Sequence, residues 1–165
     1  MAAGSAPRTI HLRTLCFVRD RDRILLLRRH KPPNEGLYNA PGGKIEPDED
    51  PYEACVRETL EETGFQLPAV TLRAVLTVIT KTTGAQWVIF VFVADRPAGE
   101  PGPIATPEGD LRWVPLADIG ALPVVSDIPL MLPRLFAPEG GVLLGKLLCE
   151  TDDSDSIIGY EFRRA

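Results

Sequence analysis

A helix that must carry clustered negative charge constrains this chain more than any other feature. Pro51 suits the first helical position, where its missing N–H costs nothing, and Gly64 suits the residue just past a helix end. The spacing therefore predicts a helix over Pro51 to Thr63. Within it Tyr52, Cys55, Val56, Thr59 and Thr63 recur at three- and four-residue steps and define one face, expected to be buried. Glu58, Glu61 and Glu62 stand at i, i+3 and i+4 on another face, where like charges repel by roughly a few tenths of a kcal/mol per pair. Hydration of an exposed acidic face would tolerate that repulsion. A divalent cation would reverse its sign, because Mg²⁺ takes hard oxygen ligands and bridges carboxylates to phosphates.

The rest of the chain reads mostly as strands. Residues 10–18 and 23–29 are apolar, β-branched runs separated by Arg19-Asp20-Arg21-Asp22, a hairpin pattern, and a loop follows over Lys31 to Gly36. Gly42 and Gly43 sit between two extended pieces, and Pro47 to Asp50 is an acidic turn leading into the helix. Residues 70–80 and 86–95 read as long strands joined at Thr82-Thr83-Gly84, with a Pro/Gly-rich loop from Arg96 to Pro107. A short strand over Leu111 to Val114 precedes a Pro-started helical turn. Asp127 is placed to cap a second helix running to about Phe136, with Pro129 in its first turn and Pro133 a distortion. Residues 142–163 read as a final hairpin, and residues 1–8 as a flexible start. Strands interrupted by two helices imply α+β, in the form of an α/β/α sandwich around a mixed sheet.

The 165 residues fit a single domain spanning 1–165. Lys plus Arg is 18 against 23 Asp plus Glu, a formal charge of −5, which argues against duplex nucleic acid as a partner. Cys16, Cys55 and Cys149 are odd in number and lack metal-like spacing, so they read as reduced thiols. No signal-like or membrane-length apolar run occurs, and the expected location is the cytoplasm.

Residues 43–65, GKIEPDEDPYEACVRETLEETGF, resemble the signature of the Nudix hydrolases: a glycine, five residues, Glu, seven residues, then R-E-U-x-E-E-x-G-U with U a bulky apolar residue. Gly43, Glu49, Arg57, Glu58, Glu61, Glu62 and Gly64 all fall in place, a coincidence expected about once in 10⁸ to 10⁹ random windows. Thr59 departs from the pattern, standing where an aliphatic side chain is usual. The resemblance implies a Nudix-type sandwich and hydrolysis of a nucleoside diphosphate linkage, with Mg²⁺, or Mn²⁺ in its place, as the cofactor. It makes Glu58, Glu61 and Glu62 metal ligands, with the Gly43 carbonyl beside them and Glu108 as a more distant carboxylate. Glu49 and Arg57 would hold the loop against the helix. Glu58 is the first candidate for general base and Glu61 the second, since base and ligand alike must be ionised carboxylates near the same metal. Lys44 and Arg28 would contact phosphate oxygens.

Outside the signature, the sequence looks like the MutT-like branch that removes oxidised purine nucleoside triphosphates. That resemblance implies that Asn39 reads the purine edge, Trp113 stacks on the base and Asp127 supplies a carboxylate, although the branch's second acid is replaced by Ser126. The expected reaction converts a substrate such as 8-oxo-dGTP to its monophosphate and pyrophosphate, by a monomer or homodimer. Other nucleotides, namely ADP-ribose, dinucleoside polyphosphates or RNA 5′ ends, and an inactive nucleotide-binding module are the alternatives.

Overall fold

The computed structural model describes residues 8–99, 106–152 and 156–165. The expected flexibility of residues 1–7, most of the tip of the loop after Arg96, and part of TDDSDS lie outside the described residues. Among the described residues, eight strands, two α-helices and a 3₁₀ turn follow in the order β1 (Ile10–Asp20), β2 (Arg23–Arg29), β3 (Tyr38–Asn39), α1 (Pro51–Thr63), β4 (Thr71–Thr80), β5 (Gln86–Asp95), β6 (Gly109–Pro115), a 3₁₀ turn (Leu116–Ala121), α2 (Ile128–Leu135), β7 (Leu143–Cys149) and β8 (Ile157–Arg164).

The strands form one mixed sheet in the order β3-β2-β1-β5-β4-β7-β8, with β6 also paired to β2. β1 runs parallel to β5 over ten residue pairs, and β4 parallel to β7 over seven. The expected β1–β2 hairpin is confined to its turn. Only Arg19 with Ile24 and Asp20 with Arg23 are paired before β2 diverges to meet β6 and β3. Pairing β2 elsewhere leaves the edge of β1 open to residues 41–45, which is where the signature's glycines enter the sheet. The two-residue β3 falls in the extended piece expected before Gly42 and Gly43. The C-terminal hairpin forms as expected, with β7 against β8.

Each face of the sheet packs on one helix. On one side α1 covers Cys16, Val18, Leu25, Phe65 and Phe92. On the other, α2 inserts Ile128, Met131, Leu132 and Leu135 among Phe17, Leu26, Leu76 and Val91. Burying this much aliphatic and aromatic surface is the main force holding the three layers together. All three cysteines are buried free thiols. Among the described residues no helix is long and apolar enough to cross a membrane.

Helix α1 starts and stops as its local chemistry requires. Asp50 is the N-cap, its side chain accepting the Glu53 N–H while the Glu53 carboxylate accepts the Asp50 N–H, a reciprocal capping box. Gly64 ends the helix in the left-handed region at φ 76°, donating its N–H to the Leu60 carbonyl. The buried stripe is Ala54, Cys55, Thr59, Glu62 and Thr63. Tyr52, expected inside, is exposed and only edges onto Phe92. The helix is thus rolled so that Glu62, expected on the solvated face, turns toward the sheet.

Candidate active site

The site is built where α1 meets residues 41–45. This segment lines up beside β1 through three backbone bonds: Thr14 N–H to the Gly43 carbonyl at 2.8 Å, Cys16 N–H to the Pro41 carbonyl at 2.8 Å, and Ile45 N–H to the Leu12 carbonyl at 3.2 Å. A Cβ at position 42 would lie 2.1 Å from the Thr14 carbonyl oxygen, and one at 43 would lie 2.4 Å from the Glu58 carboxyl carbon. Only glycine lets the chain run this close to β1 while Glu58 lies over Gly43. Glu62 completes the contact by accepting the Gly42 N–H at 2.9 Å.

Arg57 organises the acids around it. Its Nη2 donates to Glu49 at 2.8 Å and to the Lys44 carbonyl at 3.1 Å, its Nε donates to the other Glu49 oxygen, and its Nη1 reaches Glu58 at 2.8 Å and Glu61 at 3.4 Å. A planar guanidinium can serve these partners together because its donors form a rigid fork. The fork on Glu49, helped by the Glu46 N–H, lowers that carboxyl to about 2. The same two carboxylates, Glu49 and then Glu58, raise the Arg57 pKa further above its usual range.

Glu62 behaves in the opposite way. Burial raises its pKa to about 7, the Gly42 N–H opposes that shift, and the charges of Glu58 and Glu108 reinforce it, while Arg29 pulls it back. Glu62 therefore lies within reach of the charges of Glu58 and Glu108. A desolvated carboxylate whose proton affinity is raised by neighbouring acids is short of positive charge. Hard oxygen donors of this kind suit Mg²⁺ or Mn²⁺, and the Gly43 carbonyl keeps a lone pair beyond the bond it accepts from Thr14. Among the described residues, no three acids, histidines or cysteines already stand as a coordination cluster, and Arg57 contacts both Glu58 and Glu61.

A cavity of about 230 Å³ opens beside these groups on the α2 side of the sheet, with Gly42 and Gly43 in its wall. Strand alternation sets its floor: Arg13 of β1, Trp87 and Ile89 of β5, Val78 and Thr80 of β4, and Leu147 and Cys149 of β7. Asn39 and Asp127 line it from a wall formed where β3 meets residues 123–125. Tyr38 N–H bonds to the Pro123 carbonyl at 2.8 Å, and Val125 N–H returns to the Tyr38 carbonyl at 2.9 Å. Asn39 Oδ1 accepts the Ala40 N–H at 2.8 Å, which orients its amide. Asp127 occupies the N-cap position of α2, but its side chain makes no capping bond. It faces the cavity, and its charge adds to burial in pushing the Cys149 thiol up.

Three expected substrate contacts are not brought to this cavity. Trp113 sits on the α1 side, its ring 6.2 Å from Phe65 and flanked by the guanidiniums of Arg23 and Arg96 at 5.8 and 5.5 Å. Its parity on β6 sets it, half-buried, against the cluster under α1 and outside the cavity lining. Arg28 is exposed, donates to the Gly36 carbonyl at 3.2 Å and lines a separate shallow cleft with His30 and Asp110. Its neighbour Arg29, one step along the strand, faces the cavity instead. Lys44 contributes its carbonyl to Arg57, while its side chain is exposed and outside the cavity lining. Arg13, Arg29 and Trp87 were not singled out by sequence, and the β7–β8 hairpin was not read as part of the site. The alternation of β1 and β5 carried a signal for Arg13 and Trp87, but without the parallel β1–β5 pairing nothing showed which face mattered.

Known proteins resemble this chain in sequence and in fold. The NUDIX domain matches residues 9–135 of this chain. The Nudix hydrolase YvcI of Bacillus subtilis is 36% identical over 114 residues, 67% of this chain and 70% of that protein. The human 8-oxo-dGDP phosphatase NUDT18 is 36% identical over 104 residues, which are 59% of this chain but only 30% of that longer protein. Among solved structures, the MutT protein of Bacillus halodurans superposes with a TM-score of 0.79 at 29% identity, covering 92% of this chain and 97% of its own. With the seven fixed residues of the signature in place and the matched domain extending over most of its length, this chain belongs to the Nudix hydrolase family and is a pyrophosphohydrolase.

Proposed function

We propose that the protein hydrolyses an oxidised purine nucleoside triphosphate such as 8-oxo-dGTP, giving the monophosphate and pyrophosphate. The observation that carries this reading is the cavity itself. Asn39 and Asp127 face a chamber of mixed polar and apolar lining that shares Gly42 and Gly43 with the carboxylate site. A carboxylate only accepts hydrogen bonds and an amide both donates and accepts, so the pair suits a base whose edge is rich in N–H groups. Arg13 and Arg29 line the same chamber and supply the positive charge that a chain of net −5 needs locally to hold an anionic substrate. NUDT18, whose name records action on 8-oxo-dGDP, supports an oxidised purine, while its limited coverage leaves the phosphate chain length to experiment.

Nudix hydrolases generally use a divalent metal. Here Mg²⁺ would be held by Glu58, Glu61 and Glu62, with Gly43 and Glu108 contributing, and when bound it neutralises phosphate oxygens and acidifies a coordinated water. Arg57 and Glu49 position the Glu58 carboxylate over Gly43. Glu58 takes the proton from the attacking water, with Glu61, which is more exposed, as the second candidate. Three buried thiols and the absence of a membrane-length helix among the described residues suit a reducing compartment, and the cytoplasm is the proposed location.

The test is a comparison of kcat/KM for 8-oxo-dGTP, 8-oxo-dGDP, dGTP, ATP and ADP-ribose in the presence of Mg²⁺. We expect the oxidised triphosphate to be favoured over dGTP by tenfold or more, as roughly 1.4 kcal/mol of discrimination at the base edge would give. Preferential cleavage of ADP-ribose would leave the family chemistry intact and overturn the substrate.

A further inference from the structure

We infer that Trp87 is the surface on which the substrate's nucleobase stacks. This rests on the reading that the cavity takes the base of a nucleotide, and it identifies a specificity residue that the signature does not contain. Trp87 is half-buried and lines the cavity, whereas the other tryptophan, Trp113, is packed on the opposite side of the sheet. Of its neighbours on the floor, Ile89, Val78 and Leu147 are aliphatic and can close around a planar ligand, while Arg13 and Thr80 carry polar groups. Further polar groups come from the wall, through Asn39 and Asp127. An aromatic side chain among the cavity-lining residues, with hydrogen-bonding groups nearby, is the combination a heteroaromatic base requires.

The indole is also held in place. β1 and β5 run parallel with His11 opposite Trp87, and the two rings stack at 4.9 Å between centroids with 22° between planes. His11 does not line the cavity, so it supports the indole from outside the chamber. A ring already immobilised loses little rotamer freedom when a ligand binds.

The experiment separates stacking from turnover. In a W113F protein Trp87 is the sole tryptophan, and its fluorescence is followed during titration with 8-oxo-dGMP, dGMP and inorganic pyrophosphate in EDTA. We expect quenching and a spectral shift with both monophosphates and none with pyrophosphate. In parallel, Trp87→Leu should raise KM for the best substrate by about tenfold or more while changing kcat little, and Trp87→Phe should recover most of the loss. Absence of quenching by any nucleotide, or an unchanged KM in Trp87→Leu, overturns the inference. If the monophosphates quench but 8-oxo-dGTP is not cleaved, the stacking assignment stands and the proposed substrate falls.

Discussion

Glu49 and Glu62 show how one site moves two carboxyls in opposite directions. Glu49 is lowered to about 2 by the Arg57 fork, so its contribution to stability is present above about 4.5 and is lost as pH falls through 2. Glu62 is raised to about 7 by burial, so its contribution is full below about 4.5 and is lost as pH rises through 7. The metal-free protein should therefore gain stability from Glu62 on mild acidification and lose stability from Glu49 only in strong acid, a non-monotonic profile readable by thermal unfolding against pH. Cation binding needs the Glu62 carboxylate ionised, so divalent-metal affinity should move the other way. Calorimetric titration with Mn²⁺ without substrate should show binding about tenfold tighter at pH 8 than at pH 6. Affinity independent of pH would place Glu62 outside the metal site. At this scale the sequence was informative about identity and blind to environment. The signature named Glu62, but its burial depends on how α1 rolls against Gly42, which the spacing of Tyr52 and Val56 did not foretell.

At the scale of elements, the site depends on a close approach between α1 and the segment beside β1. Gly43→Ala places a methyl where the Glu58 carboxylate now lies, and that carboxylate must shift out of its Arg57 contact. The side chain is flexible, so we expect the fold to survive with unchanged circular dichroism while kcat drops by about 10²-fold, the scale seen when ligand positioning is disturbed. Gly42→Ala differs in kind. Its methyl would meet the Thr14 backbone at 2.1 Å, and the resulting overpacking should destabilise the protein by about 1–3 kcal/mol in denaturant titration. Helix limits were legible because Pro51 and Gly64 act locally, and Asp50 with Glu53 carried a capping-box signal as well. The partners of β2 were not legible. Pairing between β2 and β6 joins residues far apart in the chain, and no local pattern in Arg23–Arg29 distinguishes that partner from the adjacent β1. The same gap left open which side of the sheet Trp113 and Arg28 occupy, which strand parity decides and residue type does not.

Across the whole molecule, residues beyond the matched domain complete the chamber. β7 joins the sheet parallel to β4, and its Leu147 and Cys149 lie beside Val78 and Thr80 in the cavity floor. Leu147 is 1% exposed and belongs to the core that α2 covers. Leu147→Ala should cost about 2–5 kcal/mol in denaturant unfolding and, by widening the chamber, raise KM with a smaller change in kcat. Loss of stability with wild-type KM would mean that the hairpin supports the fold without shaping the pocket. A hairpin was readable from the alternation of residues 142–163, but its participation in the site was not, since that follows from sheet order alone.

The most direct measurement is product analysis of 8-oxo-dGTP with Mg²⁺ by chromatography and ³¹P spectroscopy, comparing the wild-type protein with Glu58→Gln and Glu61→Gln. We expect 8-oxo-dGMP and pyrophosphate from the wild type, and folded variants whose kcat falls by about 10²-fold or more, with the greater loss at Glu58. Release of inorganic phosphate in place of pyrophosphate, or undiminished turnover in both variants, would contradict a pyrophosphohydrolase site built on the carboxylates of α1.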